Sequence, residues 1–576
     1  MANLPGQNRT VAEAVRAHAA RDPLARAFGF VDYDTGSDTE WFTYGDLDTR
    51  ARAVAARLAE DLSPGDRALI LLPSGLDYVV AFLGCRYAGV VAVPAFPPEA
   101  HRRHDRLDGM AADASAAAVL TSTARLSAVR AWADMYPEPL PPLVSTVDNV
   151  PLDLARDWRE PPVDDGPAYL QYTSGSTGTP RGVRVSDANL LVQSAQLAEA
   201  YQLDSDDVVV SWLPLFHDFG LIAMTVVPLV LGAATVHMSP MSFLADPARW
   251  LRLATEHRAT LMGAPNFGYE LCVERAADTQ GLDLSGIRVL MNGAEPVRGA
   301  TVTAFDEAFA RHGLRPGTTR PAYGLAEATL VISTKDTIAP VPALTVDREA
   351  LGAGKVLVVD PGSPGAADVV CCGTPVTDMD IRIVDPATAT ESAEDEVGEV
   401  WVRGPIIADG YHGHRSATAE TFGAVIVKPG LADTGEGPFL RTGDLGFLNG
   451  GAVYVAGRLK DLVIVDGRNH HPQDVESTVE RAFGDRGVET AIAFGVDVDD
   501  REHLVVVVEL DHTTRRGTLD ELTAGVRAEI SAEHGVGVHE VVFVRRRTAP
   551  RTTSGKIQRR DCRARYLAGE LRVVTA

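Results

Sequence analysis

The chain has 576 residues, 45% of them apolar and 23% charged, the proportions of a soluble globular protein with room for about three to five domains or subdomains. A formal net charge of −24 repels phosphate backbones and anionic membrane alike, so nucleic acid is not expected as a partner. The opening Met1-Ala2-Asn3-Leu4-Pro5-Gly6 has no basic region followed by an apolar run, the longest apolar run (221–236) is broken by Pro228 and Gly232, and the five cysteines, at 85, 272, 371, 372 and 562, show no metal-binding spacing. A cytoplasmic protein with no secretory leader and no integral membrane segment is expected.

Residues 44–61 place Leu47, Ala51, Val54, Ala55 and Leu58 on one helical face,. A turn at 63–66, a strand at 67–72, a helix at 76–87 and a strand at 89–95 follow, the last stopped by Phe96-Pro97-Pro98. A short strand at 168–170 leads into a Gly/Ser/Thr-rich loop. The same rhythm then returns as strand 208–212, helix 221–231, strand 234–238, helix 250–257, strand 260–264, helix 266–274 with Asn266 as N-cap, and strand 289–292,. Strands separated by helices imply parallel βαβ units. The expected fold class is therefore α/β, with two doubly wound sheets in a large N-terminal domain and ligands at the carboxyl ends of the strands. Residues 335–370 read as an insertion. From Cys371 onward, short strands at 381–384, 399–403 and 452–455 predict a β subdomain, with Cys371-Cys372 as small buried residues at a strand end. Beyond Gly457, strands at 491–494, 504–510 and 541–544 and a helix at 519–534 predict a small α+β domain. The expected division is 1–457, a hinge at 458–461, and 462–576.

Residues 172–183 read Tyr-Thr-Ser-Gly-Ser-Thr-Gly-Thr-Pro-Arg-Gly-Val. Glycines allow a sharp turn and close approach to a ligand, and successive amides and hydroxyls make a nest for phosphate oxygens. By itself such a stretch is more often an ordinary surface loop, and it lacks the Gly-Lys-Ser/Thr ending of a Walker-type loop. Four further stretches follow it in order: Tyr323-Gly324-Leu325-Ala326-Glu327, Arg441-Thr442-Gly443-Asp444, Gly457-Arg458-Leu459-Lys460-Asp461, and Pro550-Arg551-Thr552-Thr553-Ser554-Gly555-Lys556. This ordered set resembles the adenylate-forming superfamily, and the resemblance covers nearly the whole chain.

The resemblance implies that a carboxylate attacks the α-phosphorus of ATP and pyrophosphate leaves. Two anions must meet, so the protein must supply positive charge and fixed geometry. Thr173, Ser174, Gly175, Ser176, Thr177 and Gly178 would hold the β- and γ-phosphates together with Arg181, which stands where the family more often has lysine. Glu327 would associate with Mg2+, a hard cation that wants oxygen ligands; without its motif it would read as a helix-start glutamate. Tyr323, with Gly324 beside it, would stack on adenine, and Asn292, Gly293, Ala294 and Glu295 would form the opposite wall. Asp444 would accept from the ribose hydroxyls, or else shape a turn after Gly443, and Arg458 would join it. Lys556 would bind the substrate carboxylate and the α-phosphate. Lys460 matches the hinge about which the small, mobile domain rotates, and alone would read as a solvated charge.

Residues 211–222 (Ser-Trp-Leu-Pro-Leu-Phe-His-Asp-Phe-Gly-Leu-Ile), 263–267, 292–297 and 467–474 resemble the fatty acyl-AMP ligases within that superfamily, and the insertion-like 335–370 stands where that branch carries its extra segment. This implies a fatty or related carboxylic acid as substrate and transfer of the acyl group to the phosphopantetheine thiol of a holo-acyl carrier protein in a lipid, polyketide or lipopeptide pathway. An acyl-CoA synthetase, an adenylating enzyme for an amino or aryl acid, and a nucleotide-binding protein without turnover are the alternatives. Phe216, Leu221, Ile222, Phe267 and Tyr269 would line the acyl pocket. His217 either orients the carboxylate and later the thiol or is structural. Asp218 either caps the following helix or holds a substrate ammonium. Two departures stand out. Asp187 replaces a histidine usual in relatives, and His237 interrupts an apolar strand, where it either polarises the acyl pocket or lies exposed at an edge. Residues 545–565 carry Arg545, Arg546, Arg547, Arg551, Lys556, Arg559, Arg560, Arg563 and Arg565 against a single Asp561. The stretch is either a receiving surface for an acidic carrier or an ordinary solvated charge run.

Overall fold

A computed structural model describes residues 8–99, 104–136, 143–162, 166–172, 180–276, 279–427, 435–465, 468–498, 501–512, 519–551 and 557–574. Two large sheets dominate. One has nine strands in the order Thr374–Pro375, Ser333–Thr334, Thr319–Tyr323, Val289–Gly293, Leu261–Ala264, Val208–Ser211, Ala234–Met238, Arg26–Val31 and Thr39–Thr43. The other has six, running from Leu143–Thr146 through Ala118–Thr121, Arg67–Leu71, Val91–Ala95 and Pro167–Tyr172 to Gly182–Ser186. The strands from Thr319–Tyr323 through Arg26–Val31 in the first sheet, and from Leu143–Thr146 through Pro167–Tyr172 in the second, run parallel and are flanked by helices, as the alternating pattern predicts; the remaining strands add antiparallel edges,. A continuous hydrophobic cluster runs from Val11 to Val453 between and around them. Helix Tyr44–Ala59 buries Leu47, Ala51, Val54, Ala55 and Leu58 in it and starts with a capping box formed by Thr43 and Asp46,.

A third sheet joins Asp380–Val384, Gly398–Arg403, Ala424–Ile426, Glu436–Asn449 and Ala452–Arg458. Cys371 is buried beside it and bridges Tyr454, so the adjacent cysteines are packing residues. Within 335–370, strands Ala343–Asp347 and Ala366–Val370 pair and enclose the short helix Arg348–Gly352. After residue 460 separate clusters form on the two faces of the sheet Val488–Val498, Arg501–Leu510 and Val538–Arg545. Helices Pro472–Phe483 and Leu519–His534 cover one face and Arg559–Leu567 the other.

Three local expectations need correction. The single helix over 221–231 is a π-helix, Phe219–Val226, followed by α-helix Val227–Leu231. The Val227 amide donates to the Ile222 carbonyl five residues back, the Thr225 hydroxyl also bonds the Gly220 carbonyl (2.9 Å), and Pro228 offers no amide, so regular i→i−4 pairing is not sustained there,. The N-cap of Asn266–Glu274 is Pro265, not Asn266. Asn266 is the first helical residue, and its amide bonds Glu270 (2.8 Å) and Thr301 (3.0 Å). His237 is not at an edge. Its strand lies between Val208–Ser211 and Arg26–Val31, and the side chain is fully buried on Phe28, ring centroids 4.9 Å apart. Nε2 lies 3.0 Å from the Met224 carbonyl, and burial pushes the imidazole down to about 4. Asp187 has a defined job. It pairs with the buried Arg86 guanidinium at 2.6 Å and accepts from the Val11 amide at 2.9 Å, which fastens the first helix to the core.

Candidate functional site

The carboxyl ends of three adjacent parallel strands line up by register: Ala264 opposite Asn292, and Gly293 opposite Ala322. The turns that leave them therefore gather Asn266, Asn292–Glu295 and Tyr323–Glu327 at one rim. Ala294 has φ 68°, a left-handed value that an alanine adopts at a cost,. Gly324 admits no side chain, since a Cβ there would stand 1.7 Å from the Leu330 carbonyl oxygen,. Glu295 turns back and accepts from the Phe267 amide (2.7 Å), at the start of helix Asn266–Glu274.

Two carboxylates define the rim. Asp444, 6% exposed, accepts from the Tyr323 hydroxyl at 2.9 Å, and Arg458 Nε lies 3.2 Å from its other oxygen. Burial raises the Asp444 carboxyl above its ordinary range, and Arg458 opposes that rise. The Arg458 guanidinium is raised in turn, chiefly by Asp444. Glu327 accepts from the Tyr411 hydroxyl at 2.9 Å, and burial raises its carboxyl too. The Arg181 guanidinium sits 5.6 Å above the Tyr411 ring, within cation–π reach. Arg181, Tyr411 and Glu327 thus form one stack, although 146 and 84 residues separate them in the chain (327 − 181; 411 − 327). Thr173, Ser174, Gly175, Ser176, Thr177, Gly178 and Lys556 lie outside the described residues.

His217 Nδ1 lies 2.6 Å from Asp218 Oδ1, and the same carboxylate accepts from the Phe219 amide (2.7 Å) at the start of the π-helix. The capping reading of Asp218 therefore describes its contacts. Gln171 donates to the Phe216 carbonyl (3.1 Å) and so ties the segment to the strand Pro167–Tyr172. The acyl-pocket candidates separate into two sets. Phe216 and Phe267 are half-buried, edge-on to Phe96 and Trp212. Leu221, Ile222 and Tyr269 are fully buried, and Tyr269 donates to the Met291 carbonyl (2.7 Å) while its ring meets Phe305 edge-on.

Lys460 lies in a single 3-10 turn, Leu459–Asp461, directly after Arg458. Asp461 in that turn receives Arg559 (3.0 Å) and Arg560 (3.4 Å).

Sequence reading missed Tyr411, Asp113 and His414. Asp113 Oδ2 accepts from the Tyr172 hydroxyl (2.7 Å) and the Gly182 amide (3.3 Å), and Oδ1 lies 2.5 Å from His414 Nε2. Only Tyr411 carried a cue, a glycine-tyrosine pair ahead of the short helix Arg415–Phe422.

The family model of AMP-binding enzymes matches residues 15–412, and that of the Disco-interacting protein 2-like AMP domain matches 460–576. The chain is 40% identical to the medium-chain-fatty-acid–[acyl-carrier-protein] ligase JamA of Moorena producens, over 92% of this chain and 90% of that one. It is 38% identical to the long-chain-fatty-acid–AMP ligase FadD26 of Mycobacterium marinum, over 98% of each. The crystal structure of a fatty acid AMP ligase from Legionella pneumophila matches at 34% identity with a TM-score of 0.75, covering 98% of this chain and 97% of that one.

Proposed function

The chain belongs to the AMP-binding, adenylate-forming enzymes and is a ligase of the fatty acyl-AMP ligase type; from that premise we propose which acid, acceptor and residues it uses. It activates a fatty acid with ATP and passes the acyl group to the phosphopantetheine thiol of an acyl carrier protein in the cytoplasm. What supports this reading is the rim itself, where the buried Asp444 and the half-buried Glu327, both with raised carboxyl pKa, and two arginines converge beside the ends of adjacent parallel strands,.

Asp444 accepts from the ribose hydroxyls and Tyr323 packs against adenine, opposite Asn292–Glu295. Residues 173–178 and Arg181 hold the β- and γ-phosphates, so that negative charge leaving with pyrophosphate meets fixed donors. Glu327 suits Mg2+: it is an oxygen donor hydrogen-bonded to the neutral Tyr411 hydroxyl, and Arg458 only partly offsets the burial that raises its carboxyl, so a cation would stabilise its charge,. Bound there, the ion would neutralise phosphate charge. His217, oriented by Asp218, positions the acid's carboxylate. Lys556 joins that carboxylate to the α-phosphate and is not needed once pyrophosphate has left. Rotation about Lys460 then exposes the adenylate to thiol attack. Phe216, Leu221, Ile222, Phe267 and Tyr269 supply the apolar walls, and each buried methylene of the substrate contributes about 0.8 kcal/mol.

The test is an assay with ATP, Mg2+ and a panel of acids, measuring pyrophosphate release and thioester formation on CoA and on holo-carrier. Fatty acids that release pyrophosphate and load the carrier are the expected result. CoA thioester at rates matching the carrier would replace this reading with an acyl-CoA synthetase, and silence with every acid would reject turnover.

A further inference from the structure

Between Tyr172, the last residue of one strand, and Gly182, the first of the next, lies the stretch assigned above to the phosphates. Both strand ends are fastened to the same side chain. Asp113, on helix Asp105–Ala114, accepts from the Tyr172 hydroxyl at 2.7 Å and from the Gly182 amide at 3.3 Å. Its second oxygen lies 2.5 Å from His414 Nε2, 301 residues away in the chain. The carboxylate is 11% exposed, and charge-assisted bonds in such a setting are strong and directional.

His414 extends the connection to the far side of the site. It lies three residues after Tyr411, whose hydroxyl bonds Glu327 and whose ring underlies Arg181. Residues 409–412 also run as an added edge along Gly182–Ser186, through Arg184 N–H to the Gly410 carbonyl (2.9 Å) and His412 N–H to the Gly182 carbonyl (2.8 Å). The same helix presses on the loop's far end. At Gly109 an added Cβ would stand 3.0 Å from Pro180 Cγ. Helix, two strand ends and the Tyr411 segment are thus joined at one carboxylate.

We propose that Asp113 is a positioning residue for ATP: it sets the placement of Arg181 and Glu327 relative to one another by clasping Tyr172, Gly182 and His414. This rests on the roles given to Arg181 and Glu327 above. The described partners of Asp113 are Tyr172, Gly182 and His414, so its loss acts through the geometry of those two groups.

The experiment compares wild type with Asp113→Asn, Tyr172→Phe and Gly109→Ala. It reads the ATP dissociation constant and KM, the KM for the acid, acyl transfer from separately supplied acyl-adenylate to holo-carrier, and Tm. Loss of a charged hydrogen-bond hub in Asp113→Asn raises the ATP KM by about ten- to a hundredfold, and loss of one arm in Tyr172→Phe raises it by about two- to tenfold. Gly109→Ala also raises it, although alanine favours the helix. The acid KM and the transfer rate stay unchanged in all three. If Asp113→Asn fails to fold, the other two variants decide by the same readouts. ATP affinity equal to wild type in the folded variants overturns the inference, and so does an equal fall in adenylate formation and transfer. Wild type that binds no ATP instead removes the reading of Arg181 and Glu327 on which it rests.

Discussion

The strand-end rim and the basic stretch 545–565 use charge in opposite ways. At the rim, Glu327 has a neutral hydroxyl and Asp444 shares a phenol and one arginine, so burial raises both carboxyls. In the basic stretch six arginines are answered within the small domain. Arg546 meets Glu489 (2.7 Å), Arg551 meets the buried Glu509 (2.5 Å), and Arg559 meets Glu476 (2.8 Å) and Asp461 (3.0 Å). Arg560, Arg563 and Arg565 pair with Asp461, Asp497 and Asp561 at 3.4, 3.5 and 2.9 Å. A run of arginines in a sequence therefore says less about a partner than the carboxylates that fold brings to it. Groups left incompletely answered are poised for a ligand, whereas those fully answered hold the domain together.

Substitutions sharpen this contrast. Glu327→Gln keeps the shape and removes the charge, and it should lower ATP–pyrophosphate exchange by about 10²–10³-fold, the usual loss for one preorganised electrostatic group. Its stability should move the other way. A carboxyl whose folded pKa is raised binds its proton more tightly when folded, so ionisation costs folding free energy as pH climbs from the ordinary glutamate range through the raised value,. The Tm of Glu327→Gln relative to wild type, without ATP or Mg2+, should therefore rise across that window and level off above it. A flat difference would show that burial does not penalise this charge.

Arg559→Ala is the mirror case. It strands Glu476, 9% exposed, and should cost about 3 kcal/mol of stability,, read as a lowered denaturation midpoint. Activity per folded molecule should change far less than in Glu327→Gln. The smallest effect is expected from Arg546→Glu with Arg560→Glu. Both arginines already face carboxylates, so transfer to the carrier should fall by less than about threefold, in the range of exposed pairs. A tenfold loss of transfer with adenylate formation intact would instead support the reading of this stretch as a docking surface.

Much of the fold was legible because local periodicity reports it. The βαβ rhythm gave helix Asn266–Glu274 and strand Ala234–Met238 with their observed limits. The rim residues were legible because motifs name them. What escaped depends on contacts between distant segments. His237 is buried because the distant Arg26–Val31 pairs with its strand and supplies Phe28. Asp113 looks like any helical aspartate until Tyr172, Gly182 and His414 arrive around it. The pairing of the basic stretch was hidden for the same reason, since its partners Glu489, Glu509, Glu476 and Asp461 come from other elements. The π-helix was hidden because an apolar run carries no mark of i→i+5 pairing.

The central claim is that a cation near the carboxy terminus brings two anions together at the strand-end rim. Lys556→Ala, assayed for pyrophosphate release from ATP and a fatty acid and separately for transfer from supplied acyl-adenylate, tests it most directly. Adenylate formation should fall by about 10²–10³-fold while transfer stays close to wild type. Undiminished adenylate formation, or an equal loss in both half-reactions, would contradict it.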